Sequence, residues 1–238
     1  MTNKVKISGF DISCYDNIDS AVKDIMHTKL DTANIAVAIN PEKIVSAQNN
    51  KLVYQSIENS TIRYLDGIGT VLLARSRINS DVKRIPGCEL WENLMIAAAT
   101  NMTPVYLLGA KPDVLNNTKR ILEEKYNANI IGCRDGYFSD DDEVIDEIIR
   151  LNPKIVSVAL GSPRQEQFMM KCKLRGANFF MMGVGGTYDV FTGEVKRAPL
   201  AFRKIGLEWA YRLLCQPTRI FRQINLLKFI VLVLRKKI

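Results

Sequence analysis

The chain has 238 residues, 47% of them hydrophobic, which excludes a disordered chain and sets one domain plus an appendage as the expectation. Net charge is +8, but residues 196–238 hold eleven Lys and Arg against one acid, Glu208, so that segment carries +10 and everything before it −2. Charge confined to one end is not the profile of a uniformly basic nucleic-acid binder. It marks a terminal element facing something anionic, whether lipid headgroups, phosphates or nucleic acid.

Five cysteines, Cys14, Cys88, Cys133, Cys172 and Cys215, stand far apart, odd in number and without a CxxC pair. This argues against a disulfide framework and a zinc site, and fits a reducing cytoplasm. The N-terminal MTNKVKISGFDIS has no apolar stretch of signal-peptide length. No run reaches the roughly 18 apolar residues of a spanning helix, so a cytosolic protein is expected.

In chain order, the only histidine, His27, falls in a polar helical stretch from Ile18 to Leu30, away from any strand end. A histidine triad or His-rich metal site is therefore not expected. A first apolar strand is predicted over Ile35–Ile39, running into Asn40-Pro41-Glu42-Lys43, where Asn40 reads as an N-cap or as an uncharged ligand group. Tyr64-Leu65-Asp66-Gly67-Ile68-Gly69 places a carboxylate before two glycines. Asp66 reads either as a turn residue or as a base that the glycines let a substrate approach.

Further strands are predicted over Val105–Leu108, Asn129–Cys133, Ile155–Leu160 and Phe179–Val184, with helices opened by Pro112 after Lys111, by Ser139 with its trailing acids, and by Pro163 after Ser162. Asp140-Asp141-Asp142 contains the DxD by which many glycosyltransferases hold a metal, but acids at a helix start simply complement the dipole, and that reading is preferred. Arg164 and Gln165 open the helix after Gly161, serving phosphate or hydroxyl binding as readily as capping. Gly185-Gly186-Thr187-Tyr188-Asp189 looks like a backbone nest for an anion. It is no dinucleotide fingerprint, since GxGxxG would need glycine where Tyr188 stands. From Pro199 the pattern is helical to Leu214, breaks at Gln216-Pro217, and resumes from Thr218 to Lys236 as a basic amphipathic helix.

Strands alternating with helices give an α/β fold with a mostly parallel, doubly wound sheet over residues 1–195, followed by a basic helical appendage over 196–238. In such sheets ligands bind outside the carboxyl ends of the strands.

Taken together, YLDGIG, RIPGCELWENL, LLGAKPDV, DGYF, ALGSPRQEQF, GVGGTYDVFTGEVKRAP and GLEWAYRLLCQPTRIFRQ resemble the WecG/TagA/CpsF family of glycosyltransferases over nearly the whole chain. The resemblance implies a Rossmann-like core and an inverting, metal-independent transferase without cofactors. The sugar would pass from a UDP donor to undecaprenyl diphosphate-linked GlcNAc at the inner leaflet. It implies Asp66 as the general base for the acceptor hydroxyl, Asn40 and Gln165 in the same pocket, and Arg84 suited to diphosphate charge. Tyr137 and Asp189 become candidates for the uridine end, and Gly185 and Gly186 for the donor's anionic part. Arg212, Arg219 and Arg222 of the appendage would meet the leaving UDP. On the last helix Leu226, Leu227, Ile230, Val233 and Leu234 are expected to face acyl chains while Lys228, Arg235, Lys236 and Lys237 meet anionic headgroups. Packing on the core or a homo-oligomer interface is the other use of that helix, so oligomeric state stays open.

Two branches of the family fit: wall teichoic acid enzymes transferring N-acetylmannosamine, and enterobacterial common antigen enzymes transferring N-acetylmannosaminuronic acid. Teichoic members tend to have threonine two residues before the asparagine of the NPE motif, where this chain has Ala38. Residues 85–92 and 185–193 also look closer to the uronic acid branch, which is favoured. A uronic carboxylate calls for a cation, and Lys43 and Arg164 are the candidates. Against a transferase stands a non-catalytic basic module for membrane or nucleic acid, which leaves Asp66, Gln165 and the glycines idle. An NAD-dependent epimerase would need the missing fingerprint. Nucleic acid is not expected as a partner.

Overall fold

The computed structural model describes residues 3–78, 81–199, 202, 208–215, 220–235 and 238. Apolar β-branched runs form the centre of an eight-stranded sheet among these residues. The strands are β1 (Asn3–Ile7), β2 (Phe10–Cys14), β3 (Ile35–Ile39), β4 (Ile62–Leu65), β5 (Val105–Gly109), β6 (Ile130–Arg134), β7 (Ile155–Ala159) and β8 (Phe180–Gly183), in the order β1-β2-β4-β3-β8-β7-β5-β6. Neighbours are parallel throughout except for the β1–β2 hairpin. All five strands expected from sequence keep their place within one residue at each end, Asn129–Cys133 appearing as β6.

The inner strands are buried on both faces, as parallel strands covered by helices must be, and their side chains alternate between two cores. One core collects Ile35, Val37 and Ile39 with α2 (Pro41–Asn49), α3 (Lys51–Glu58), α4 (Ile68–Ile78), α7 (Asp141–Leu151) and α8 (Arg164–Leu174). The other collects Ala36, Val105 and Leu107 with α1 (Ile18–Thr28), α5 (Gly87–Thr100), α6 (Pro112–Tyr126) and α9 (Thr187–Phe191). The acidic run is spent on structure. Asp140 caps α7 by accepting from the Asp142 and Glu143 amides at 2.8 and 3.4 Å, Asp141 pairs with Lys171 at 2.6 Å, and Asp142 with Arg175 at 3.0 Å.

In the tail, α10 (Glu208–Cys215) runs one residue past the first predicted helix and α11 (Ile220–Leu234) falls within the second, while the break at Gln216-Pro217 lies outside the described residues. Helix α11 packs on α2 through Phe229, which is buried in the first core beside Gly69. This corrects the expected lipid face: Leu226 turns into a cavity and Val233 packs against the core, while Leu227, Ile230 and Leu234 stand exposed with Ile224 and Val231. Lys228 is exposed, and Lys236 and Lys237 lie outside the described residues. No helix among the described residues is long and apolar enough to cross a membrane.

Truncating a buried phenylalanine removes about 3–5 kcal/mol of packing. Phe229→Ala is therefore expected to accelerate amide hydrogen exchange throughout α11 while the amides of β3, β7 and β8 stay protected. Unchanged exchange in α11 would show that Phe229 does not anchor it.

Candidate functional site

The strands β4, β3, β8 and β7 are neighbours, and the residues just past their carboxyl ends converge on one cavity of about 840 Å³, the size of a ligand cleft. Asn40 and Lys43 follow β3, Asp66 and Gly67 follow β4, Gly161 and Ser162 follow β7, and Gly185, Gly186 and Asp189 follow β8.

Asp66 is placed by the backbone around it. The Ile39 carbonyl accepts from the Asp66 amide at 3.0 Å and the Gly67 amide at 3.4 Å, and from the Thr70 hydroxyl at 3.2 Å, so the ends of β3 and β4 are locked together. Gly67 is glycine because a Cβ there would lie 2.5 Å from Pro41 Cδ and 3.0 Å from Asn40 Cβ. This glycine, expected to admit a substrate, lines the cavity and also admits the residues that follow the neighbouring strand.

The chain before α5 runs back along β4, with the Ile85 amide donating to the Leu65 carbonyl at 2.8 Å. This carries Arg84 to Asp66, where its Nε donates to the Asp66 main-chain oxygen and its Nη2 lies 3.2 Å from Asp66 Oδ1. The same Nη2 lies 3.1 Å from Oε2 of Glu208, the first residue of α10. The Gly87 amide, opening α5, also donates to the Asp66 carboxylate. Burial pushes the Asp66 carboxyl above the ordinary carboxylate range and Glu208 adds to the rise, while Arg84 and the Gly87 amide pull the other way. Burial also pushes the neighbouring Cys88 thiol up, so Cys88 lines the cavity as a neutral group rather than a nucleophile.

Asn40 does what a helix-capping residue does, accepting from the Lys43 amide at 2.9 Å, and also lines the cavity. Gln165 is buried and braced at both ends of its amide: Oε1 accepts from the Gly185 amide at 3.0 Å, and Nε2 donates to Glu166 Oε1 at 3.2 Å. The anion nest expected at Gly185 is therefore already engaged at that amide by Gln165. Lys43 points its ammonium at Glu166 Oε1, 2.6 Å away, with side-chain exposures of 11% and 1%. A uronic carboxylate would meet Lys43 already paired.

Tyr137 and Arg164 do not line the cavity. Tyr137 follows β6 at the far edge of the sheet and is 72% exposed. Arg164 turns the same way, stacking on Phe138 at 4.8 Å and donating to the Gly136 and Phe138 carbonyls at 3.3 and 3.2 Å. Arg219 lies outside the described residues, and Arg212 and Arg222 sit on α10 and α11 with their side chains outside the description. Ala38, where the two branches differ, also lines the cavity, as do residues given no site role from sequence: Cys88, Lys196, and Glu208, Trp209 and Tyr211 of α10. Glu208 carried one legible signal, being the sole acid of a strongly basic segment.

These features define a Rossmann-like α/β protein whose polar cleft sits at the strand ends, roofed in part by C-terminal helices. The chain belongs to the WecG/TagA/CpsF family of glycosyl transferases, whose family model matches residues 5–238. It is a glycosyltransferase that uses a sugar-nucleotide donor and, in the general terms of the family, a lipid-linked acceptor.

Breaking a buried ion pair from one side leaves an uncompensated charge and costs about 3–5 kcal/mol, whereas removing both partners costs far less. Lys43→Met is expected to lower stability by about that amount in urea unfolding. Lys43→Met with Glu166→Leu should recover most of it. Additive losses in the double variant would mean that the pair is not coupled.

Proposed function

We propose that the protein is an inverting transferase moving N-acetylmannosaminuronic acid from its UDP donor to undecaprenyl diphosphate-linked GlcNAc, at the inner face of a bacterial cytoplasmic membrane. The observation that carries this reading is Asp66, a cavity carboxylate with proton affinity raised by burial, fixed at the end of β4. Asp66 takes the proton of the acceptor hydroxyl as that oxygen bonds to the anomeric carbon from the face opposite the diphosphate. The bond from that carbon to the diphosphate oxygen breaks, its electron pair leaves with UDP, and configuration inverts. Charge then builds on the leaving diphosphate, and Arg212, Arg219 and Arg222 of the appendage take it up without a metal or other cofactor. Asn40 and Gln165 hold the cleft in shape from β3 and α8, and Asp189 faces the donor. Residues 1–195 serve as the catalytic core and 196–238 as its cover, a division supported by Glu208, Trp209, Tyr211 and Leu226 all lining the cavity.

The donor assignment is supported by Ala38, where the two branches differ, lining the cavity itself. With Lys43 held by Glu166 and Arg164 turned away, Lys196 is the cavity cation that makes no ion pair among the described residues, and it takes the uronic carboxylate in this reading. One observation favours the second reading, N-acetylmannosamine transfer: the Lys43 ammonium is already neutralised.

Radiolabel transfer to polyprenyl diphosphate-GlcNAc, with EDTA present, from UDP-N-acetylmannosaminuronic acid and UDP-N-acetylmannosamine in parallel, tests both. Asp66→Asn is expected to lose about 10²–10⁴-fold in kcat, as removal of a general base does. A fully active Asp66→Asn would overturn the assignment. Lys196→Met should lower kcat/KM for the uronic donor about 10-fold or more relative to N-acetylmannosamine, the scale of one charge-assisted hydrogen bond. An unchanged ratio would remove Lys196 from donor selection.

A further inference from the structure

A carboxylate paired with one arginine is held ionised and is a weak base. Asp66 escapes that condition first by burial, and its arginine is also shared: Nη2 of Arg84 lies 3.2 Å from Asp66 Oδ1 and 3.1 Å from Glu208 Oε2. Glu208 is 5% exposed and opens α10, so a buried acid of the appendage reaches the partner of a core acid 142 positions earlier in the chain. Burying a carboxylate is costly, and the contact made here is with the one guanidinium that also grips the proposed base.

We propose that Glu208 is a positioning residue for the transfer: by holding Arg84 between two carboxylates it leaves Asp66 the proton affinity of a general base, and it makes that state depend on the appendage being seated. The inference rests on the transferase reading of the site. A guanidinium shared between two carboxylates holds each less firmly, so Asp66 attracts a proton more readily than in a lone Asp–Arg pair. Among the described residues the other groups facing Asp66 include the Gly87 amide of α5, which favours the ionised form, and Tyr64 of β4 and Cys88 of α5, both kept neutral chiefly by burial. With the appendage lifted, Glu208 leaves, Arg84 belongs to Asp66 alone, and the base is switched off before water can be activated in an open cleft.

The test titrates the ¹³C-labelled carboxyl of Asp66 by NMR in the full chain and in Glu208→Gln, beside kcat as a function of pH. In Glu208→Gln the Asp66 titration and the acid limb of kcat are expected to move together to lower pH. The plateau kcat should fall about 10-fold as the base weakens, with donor KM little changed, and Glu208→Asp should restore part of both. Coincident Asp66 titrations in the two proteins would overturn the proposal even with full transferase activity. A shifted titration in a protein that transfers from no UDP-sugar would leave the coupling standing and overturn the transferase reading instead. If Glu208→Gln does not fold, the unaltered protein decides, since an Asp66 titrating below the ordinary carboxylate range overturns the proposal.

Discussion

An arginine beside a carboxylate ordinarily removes that carboxylate from base chemistry, and a protein that needs both groups in one cleft has to divide the guanidinium. Here Arg84 is divided between Asp66 and Glu208, and the rest of the cleft is arranged around that division. The core supplies Asp66 at the end of β4 and brings Arg84 back along the same strand. The C-terminal helices supply Glu208 at the start of α10. Both therefore act on the proton affinity of Asp66, the proposed base, on top of the rise that burial gives it.

A second charge pair does the same work for shape. Lys43 from α2 and Glu166 from α8 meet almost out of solvent, and Gln165 joins that pair to the Gly185 amide past β8. The chain of contacts spans the ends of β3, β7 and β8, which are neighbours in the sheet. Buried charge of this kind contributes little net stability, but it penalises any other arrangement of the three strand ends heavily. One side of the cleft is braced by Gln165 and Glu166, and α10 and α11 contribute another part of its wall.

The legible part of this structure was the part written in periodicity and punctuation. Apolar β-branched runs gave five parallel strands, and Asn40-Pro41 and Lys111-Pro112 gave helix starts that the structure repeats. The β1–β2 hairpin escaped because Lys4 and Lys6 alternate with Val5 and Ile7 in a short edge element, although the Ser8-Gly9 turn, with both residues at positive φ, was a usable hairpin signal. β4 escaped because Arg63 interrupts four residues. Asp66, Asn40, Gln165 and Lys43, singled out near strand ends, and Arg84, singled out through the family resemblance, all line the cavity, because strand ends are where it lies. Tyr137 falls outside the cavity because a motif reveals that a residue follows a strand without revealing the strand's position in the sheet, and β6 lies at the edge, three strands from β8; Arg164 follows β7 beside the cavity, but its side chain turns away to the Gly136 and Phe138 carbonyls. Glu208 was hidden for a related reason: its partner is more than a hundred residues away, and no local pattern encodes such a pairing.

The last helix raises the question of why one element should be apolar nearly all round. Successive residues of a helix are rotated by about 100°, so Leu226 facing the cavity, Leu227 facing outward and Phe229 facing α2 sample three directions. A helix that only packed on the core would need one apolar stripe. The outward residues Ile224, Leu227, Ile230, Val231 and Leu234 form a second stripe, with Lys228 exposed beside it. In the proposed reading this stripe rests in the membrane interface. A lipid-linked sugar then needs to travel only around one helix, from the outward stripe past Leu226 into the cleft, and its carrier never has to leave the bilayer. The same contact that recruits the acceptor would press α11 and α10 onto the core, seating Glu208 against Arg84, so that membrane attachment and the basicity of Asp66 become consequences of a single docking event.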